Sequence, residues 1–402
     1  MTDLQGPIVW VAGVGWDDLT GTDKRIVLEL GRRTGVLWVD APRRGGWLES
    51  RANRRSGEEV APGVRRLRIP GIPGFSRWPF RSLTRATRDA LVRRAVGRER
   101  SVRAVVVANP MGQFPRDVIG HRVLYVTDDW LAGASLMGLS PRTIRRTLSR
   151  TAQDCDLVAV VNPVLVDLIT SLGASGTTPS IVLPNGAPPV CDPNNFSRVP
   201  VAGVVGTLNE RLDLSILEAV VDAGIRLHLI GPRADRDPGF RQRLDQLAAH
   251  DLVEWTDRMP ASELCSRIEI LAVGLTPYTD SDFNRASFPL KTFDYLAAGV
   301  PVVSTDLPAS HWIGSECVET TKNAAGFVSA VQRHVERIRI GDVSGEPAGR
   351  RCRELARDHS WERRAEKLLD SIDGLNPRTQ DSDHRSEGLG KRDKSIRWES
   401  RR

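Results

Sequence analysis

The stretch from Ser287 to Thr305 constrains this chain most, because it reads as a short helix running straight into a buried strand. Ser287 is placed to cap the helix, Pro289 suits its first turn, and Gly299 with Pro301 ends it. Leu290, Phe293 and Ala297 fall at i, i+3 and i+7 and predict the buried stripe. Lys291 and Asp294 share another face. A lysine in the first turn opposes the helix dipole, and Lys before Asp is the weaker order for an ion pair. The same arrangement receives an anion well, since amide hydrogens emerge from the helix start beside an ammonium. A phosphate there, with a carboxylate one turn deeper for a sugar hydroxyl, describes a nucleotide-sugar pocket. The plainer alternative is a solvated surface ion pair.

At 402 residues the chain exceeds what one core holds, so two domains are expected. Five scattered cysteines (Cys155, Cys191, Cys265, Cys317, Cys352) lack C-x-x-C spacing. They predict neither a zinc site nor a disulfide framework and suit a reducing cytosol. The start, Met1 to Pro7, lacks a signal-peptide pattern, and no apolar run reaches the roughly 18–20 residues of a membrane span. A cytoplasmic, soluble or peripheral protein is expected. The net charge of +7 is concentrated between Pro42 and Arg103, where arginines far outnumber acids. Such a block wants an anionic partner: membrane phospholipid, nucleic acid or a polyanionic acceptor. Ile69 to Phe80, rich in proline and aromatics, cannot be a helix and suits a headgroup layer or a loop over its own core. No aromatic-basic RNA motif accompanies the arginines, so nucleic acid is not expected.

Strand and helix patterns alternate along both halves. Ile8 to Gly15 is a strand entering a glycine turn, a helix follows from about Thr22, and Val36–Asp40 is a second strand. That is the opening of a Rossmann-like unit, with Gly13 and Gly15 in the turn. Asp40 occupies the place of a ribose acid in dinucleotide enzymes, but an NAD reading leaves the second half unexplained. A basic helix is expected from Ser82, and a short helical connection from Gln113 to Gly120. Arg122–Trp130 reads as a strand ending in Asp128 and Asp129, where open α/β sheets keep ligand-binding groups. Either acid could orient or deprotonate a hydroxyl, or simply cap the next helix. After a Pro/Asn-rich linker the alternation resumes at Val201–Gly206, followed by Thr207 and Arg211. Asp280-Ser281-Asp282 invites a metal reading. From Gly374 the chain is polar and predicted to be disordered.

Pro289 to Gly299 followed by Pro301-Val302-Val303 resembles the donor-site helix of GT-B glycosyltransferases of the GT4 type. It is closest to a teichuronic-acid-type cell-envelope subgroup that writes this segment Ser-x-Pro-Leu-Lys-x-x-Glu-Tyr-Leu-Ala-x-Gly. Trp16, Asp17 and Arg25 also match that subgroup's opening, and Tyr125-x-x-Asp128-Asp129-Trp130 a second motif. The resemblance implies two Rossmann-like domains facing a central cleft: residues 1–186, a 187–200 linker and 201–373, with 374–402 as a tail. It implies a retaining enzyme that moves a sugar from a nucleoside-diphosphate donor to a hydroxyl of an envelope glycan or lipid-linked acceptor. By the same resemblance Gly206, Thr207, Arg211, Arg258, Ser287, Leu290, Lys291 and Asp294 face the donor. Gly13, Gly15, Trp16 and Asp17 lie on the acceptor side, and Asp128 or Asp129, Lys291 and Arg211 serve catalysis. No cofactor or bridging metal is implied, because basic residues and helix dipoles take the leaving charge. The family's first acid falls at Ala286 and is missing, which leaves open a catalytically weak assembly partner docked on a membrane. A sugar-nucleotide epimerase on the same fold is a further alternative.

Overall fold

The computed structural model describes residues 6–376 apart from 19–20, 45–56, 72–79, 99, 192–196 and 342–344. Most of the aromatic loop at 69–80, the middle of the linker and nearly all of the tail thus lie outside the described residues. The first half contributes β1 (Ile8–Ala12), β2 (Val36–Val39), β3 (Arg43–Arg44), β4 (Glu58–Ala61), β5 (Val64–Leu67), β6 (Pro70–Gly71), β7 (Ser101–Ala108), β8 (Ile119–Val126), β9 (Leu157–Val160) and β10 (Ser180–Val182). The second contributes β11 (Val199–Val205), β12 (Arg226–Ile230), β13 (Val253–Thr256), β14 (Leu271–Thr276), β15 (Val302–Thr305) and β16 (Val318–Thr321).

These form two main sheets, β10-β9-β8-β7-β1-β2-β5-β4 and β13-β12-β11-β14-β15-β16, with β3 and β6 paired apart. Pairing is parallel throughout except between β4 and β5. The strands near the middle are continuous apolar runs because helices cover both faces; every residue of β1, β2, β9 and β14 is buried. In each sheet the order reverses at its first strand, β1 or β11. The crevice outside the carboxyl ends of β1 and β7, and of β11 and β14, is therefore where a ligand can enter.

The hairpin β4–β5 was hidden in the arginine block. Its turn uses Gly63 at φ +71, and its Arg66 is turned inward onto Asp40 at 2.8 Å and Asp17 at 2.8 Å. Gln113–Gly120 is not helical: Pro115 interrupts it and β8 begins at Ile119. The basic helix runs Phe80–Val96, and a helix at Pro308–Ile313 and β16 were not anticipated. Cys191 and Cys265 form a disulfide across a separation of 74 residues, contrary to the expectation of free thiols. Spacing along the chain could not show that the linker returns beside the helix Ala261–Glu269.

The last helix, Trp361–Asp373, crosses back to the first domain and lies along the helix Thr22–Gly31. Arg33 pairs with Glu362 and Glu366, each at 2.9 Å, and Lys367 Nζ donates to the Val182 carbonyl at 3.0 Å.

Tyr295 fixes the helix Leu290–Ala297 to the second sheet. Its hydroxyl accepts from the Val205 amide at 2.8 Å and reaches the carbonyls of Gly203 at 3.0 Å and Leu275 at 3.2 Å. A Cβ on Gly274 would stand 2.3 Å from the ring, so glycine makes room for it. Tyr295→Phe leaves the Val205 amide buried without this acceptor and should cost about 1–3 kcal/mol in urea unfolding. An unchanged midpoint would show that the hydroxyl does not hold the helix.

Candidate functional site

A cavity of about 360 Å³ lies between the two domains. The first domain supplies Thr22, Arg25, Asp128 and Asn185, and the second supplies Gly206, Thr207, Arg211, Leu290, Lys291 and Asp294. Of the helix Leu290–Ala297, only Leu290, Lys291 and Asp294 escape burial, and all three line this cavity. The stripe expected at Leu290, Phe293 and Ala297 therefore holds at two of its three positions. Phe293 and Ala297 are core, whereas Leu290 is half-buried at the cavity wall.

Ser287 does not cap that helix. The residue at the cap is Pro289, and the Ser287 hydroxyl instead lies 2.8 Å from both the Asp128 carboxylate and the Phe283 carbonyl. The cap is lost because Pro289 already occupies it in an extended conformation, two residues beyond Ser287.

Lys291 reaches under the turn after β11, where Gly206 has φ +103. A Cβ at Gly206 would come within 3.2 Å of the Lys291 Cε, so the turn and the ammonium pack directly. The ammonium stands 5.2 Å from the Tyr278 ring centroid and has no carboxylate partner among the described residues. Asp294 pairs across the cleft instead, with Arg25 at 2.9 Å. The Arg211 guanidinium stands over the rings of Tyr278 and Phe283, at 5.2 Å and 4.9 Å from their centroids, and its Nε donates to Asn284 at 2.9 Å.

The two acids after β8 separate in role. Asp129 accepts from the amides of Leu131 and Ala132, both at 2.9 Å, which is the capping alternative. Asp128 faces the cavity. Burial pushes its carboxyl above the ordinary range, opposed by Arg211 and Ser287 and reinforced by Asp129. Gly15, Trp16 and Asp17 do not line the cavity. Trp16 is buried edge-on against Trp38, with ring centroids 5.3 Å apart, and its amide donates to Asp40 at 3.0 Å. Asp17 pairs with Arg66, and the Gly15 amide donates to Asp18 at 2.6 Å. Arg258 is exposed and away from the cavity. Asp280 is bound to Arg285, and among the described residues no three His, Cys, Asp or Glu are grouped to hold a metal.

Sequence reasoning missed Asn162, Asn185 and Asp23. Asn162 donates to the Arg285 and Ser287 carbonyls at 3.0 and 3.3 Å, and Asn185 to the Phe288 carbonyl. Asp23 reads in the sequence as an ordinary first-turn acid, yet it is buried beside Trp10 and the Gly13 loop.

The sequence model of the family described as Glycosyl transferases group 1 matches residues 200–337. The second domain is a group 1 glycosyltransferase domain. A stretch of 112 residues is 36% identical to a Bacillus subtilis protein named "Putative teichuronic acid biosynthesis glycosyltransferase TuaH"; it covers 27% of this chain and 28% of that protein. Over nearly the whole chain the structure is similar to sucrose-phosphate synthase from Thermosynechococcus elongatus, with 15% identity, 92% of this chain and 98% of that one covered, and a TM-score of 0.64. It is also similar to HepE from Anabaena, crystallised with UDP and glucose, with 11% identity, 92% and 100% covered, and a TM-score of 0.65. At these identities the likeness is one of fold, and the fold is GT-B.

Behind the cleft, within the first domain, Asp23 is a protonatable buried acid that does not itself line the cavity. Burial raises the Asp23 carboxyl from 3.8 to about 7, against the lowering effects of the Gly13 amide and the Trp10 indole. The folded state then holds a proton that the unfolded chain has released, so this group's contribution to stability falls as pH rises from about 4 to 7. Asp23→Asn, neutral throughout, should gain roughly 2–4 kcal/mol relative to the native chain over that window. Parallel melting-temperature profiles of the two proteins between pH 4 and 8 would contradict it.

Proposed function

We propose that this protein transfers a sugar from a nucleoside-diphosphate donor to a hydroxyl of an envelope glycan or glycolipid, with retention as the resemblance implies. The observation that carries the reading is Lys291: a half-buried ammonium beside a helix start and a glycine turn, with no carboxylate of its own among the described residues. A diphosphate suits such a site, since amide hydrogens and an ammonium converge on it. In this reading Lys291 and Arg211 take the charge that develops on the departing diphosphate, and the amides around Gly206 and Leu290 add to them. Asp294, released from or shared with Arg25, binds the ribose. Asp128, with its raised pKa, orients the acceptor hydroxyl and takes its proton as the new bond forms. The Gly13 loop faces the acceptor, and no bridging metal is required.

Attachment to an anionic membrane surface through the arginine-rich 42–103 region, on the cytoplasmic face, belongs to the same proposal. No described helix is long and apolar enough to cross a membrane. The second reading, an assembly partner with little activity, is favoured by Ala286. That position is only 2% exposed, so no acid reaches the cavity from it.

Thermal-shift measurements across nucleoside diphosphates and their sugars test the proposal. A ligand at 100 times its Kd should stabilise the native chain by about 2.7 kcal/mol. Lys291→Ala should abolish that shift and lower transfer by about 100-fold or more, with the unliganded melting temperature nearly unchanged. Binding that survives the substitution would refute the role of Lys291. Donor binding without turnover by any acceptor or by water would favour the assembly partner.

A further inference from the structure

A second cavity, of about 220 Å³, lies wholly within the first domain. Its floor is the carboxyl end of β1, at Val11 and Ala12, and the turn after β7, from Asn109 to Gly112. Its walls are two helices that present arginines at helical spacing. Arg81, Arg85 and Arg88 come from Phe80–Val96, and Arg146 and Arg150 from Pro141–Gln153. The carboxylate in the lining, Asp40, is already taken by the Trp16 amide, the Trp38 indole at 2.8 Å and Arg66 at 2.8 Å. Arg88 is satisfied by Asp89. Arg81, Arg146 and Arg150 have no acidic partner among the described residues.

Like charges at i and i+4 repel, and here two such pairs face one space. Burial, together with the charges of Arg88, Arg116 and Arg150, pushes the Arg85 guanidinium below its usual range against the opposing Asp89. Two buried polar atoms in the lining are also unsatisfied. Thr84 is 4% exposed and its hydroxyl has no hydrogen-bond partner among the described residues; Arg85 donates through Nη1 to Gln113, but its Nε makes no hydrogen bond, the Asp89 carboxylate standing 3.8 Å away. A buried hydroxyl and guanidinium N–H left unpaired are costly unless a ligand completes them. Both can donate: the Thr84 hydroxyl has no acceptor among the described residues, and Arg85 Nε has none within hydrogen-bond distance.

We propose that this cavity is a binding site for an oxyanion of the phosphoryl class, separate from the nucleotide cavity. Guanidinium forks suit its tetrahedral oxygens, and the Thr84 hydroxyl supplies the neutral donor from the wall helix. The Gly13 loop stands between the two cavities: Ala12 lines this one, while Gly13 contacts Asp23, next to Thr22 of the other. An anion held here lies in the first domain, the side that the proposed function gives to the acceptor. A soluble phosphate ester and a lipid headgroup offer the same chemistry.

The test uses the full chain carrying Lys291→Ala, so that phosphate cannot be counted at the nucleotide cavity. Isothermal titration with inorganic phosphate and with glycerol 1-phosphate should show one site. Arg146→Gln with Arg150→Gln, both on an exposed helix face, should weaken it at least tenfold, and Thr84→Val severalfold. Binding to phosphatidylglycerol vesicles that glycerol 1-phosphate displaces, and that the same arginine changes weaken, marks a lipid headgroup as the occupant. No such binding, with the soluble site intact, marks a soluble ester. No phosphate site in the Lys291→Ala chain, or one indifferent to both sets of substitutions, would overturn the proposal. Nucleoside-diphosphate binding by the Arg146→Gln/Arg150→Gln protein with native Lys291 should be unchanged, so either cavity can fail without the other.

Discussion

The structure depends on how the segment from Arg285 to Asp294 is gripped by the opposite domain. Asn162 holds two of its carbonyls, Asn185 a third, Asp128 its serine hydroxyl and Arg25 its aspartate. Asn162 is 1% exposed and Asn185 4%, so their amides must be satisfied within the protein. These contacts set the width of the cleft, because they hold the start of one helix against strand ends from the other sheet. Tyr295 anchors the same helix from behind, through β11 and β14. The lysine is thus positioned from two sides by groups that do not touch it.

The charges within the cleft follow from this grip. Arg25 takes Asp294, which removes the carboxylate that helical spacing would have offered to Lys291. Arg211 is immobilised by two aromatic rings and Asn284, a geometry that orients its fork without neutralising it. Asp128 and Asp23 are both raised by burial, so the first domain contributes acids that give up negative charge readily. The result is a cavity with surplus positive charge on the second domain's side and the protonatable Asp128 carboxyl on the first, with Asp23 behind it.

Much of this was legible in the chain. The helix ending at Gly299, the strand after it and the alternation in both halves rest on local periodicity and stop signals, which depend on neighbours a few residues apart. Lys291, Arg211, Gly206 and Asp128 could be singled out for the same reason: each sits in a motif or at a strand end. The β4–β5 hairpin was obscured because its arginines look like solvated charge until Asp40 and Asp17 are brought beside Arg66. Trp16 and Asp17 matched a motif, yet packing assigns them to the core and to an ion pair.

The amino-acid sequence by itself determined that the chain forms two parallel α/β domains and that a short helix carrying Lys291 in its first turn follows Pro289, since these are consequences of short-range pattern. Only the tertiary structure decided which carboxylate pairs with which cation, that Ser287 serves Asp128 rather than the helix, that Cys191 meets Cys265, and that arginines from two helices share one cavity. Those outcomes join residues far apart in the chain, and no local spacing encodes a distance that chain folding alone creates.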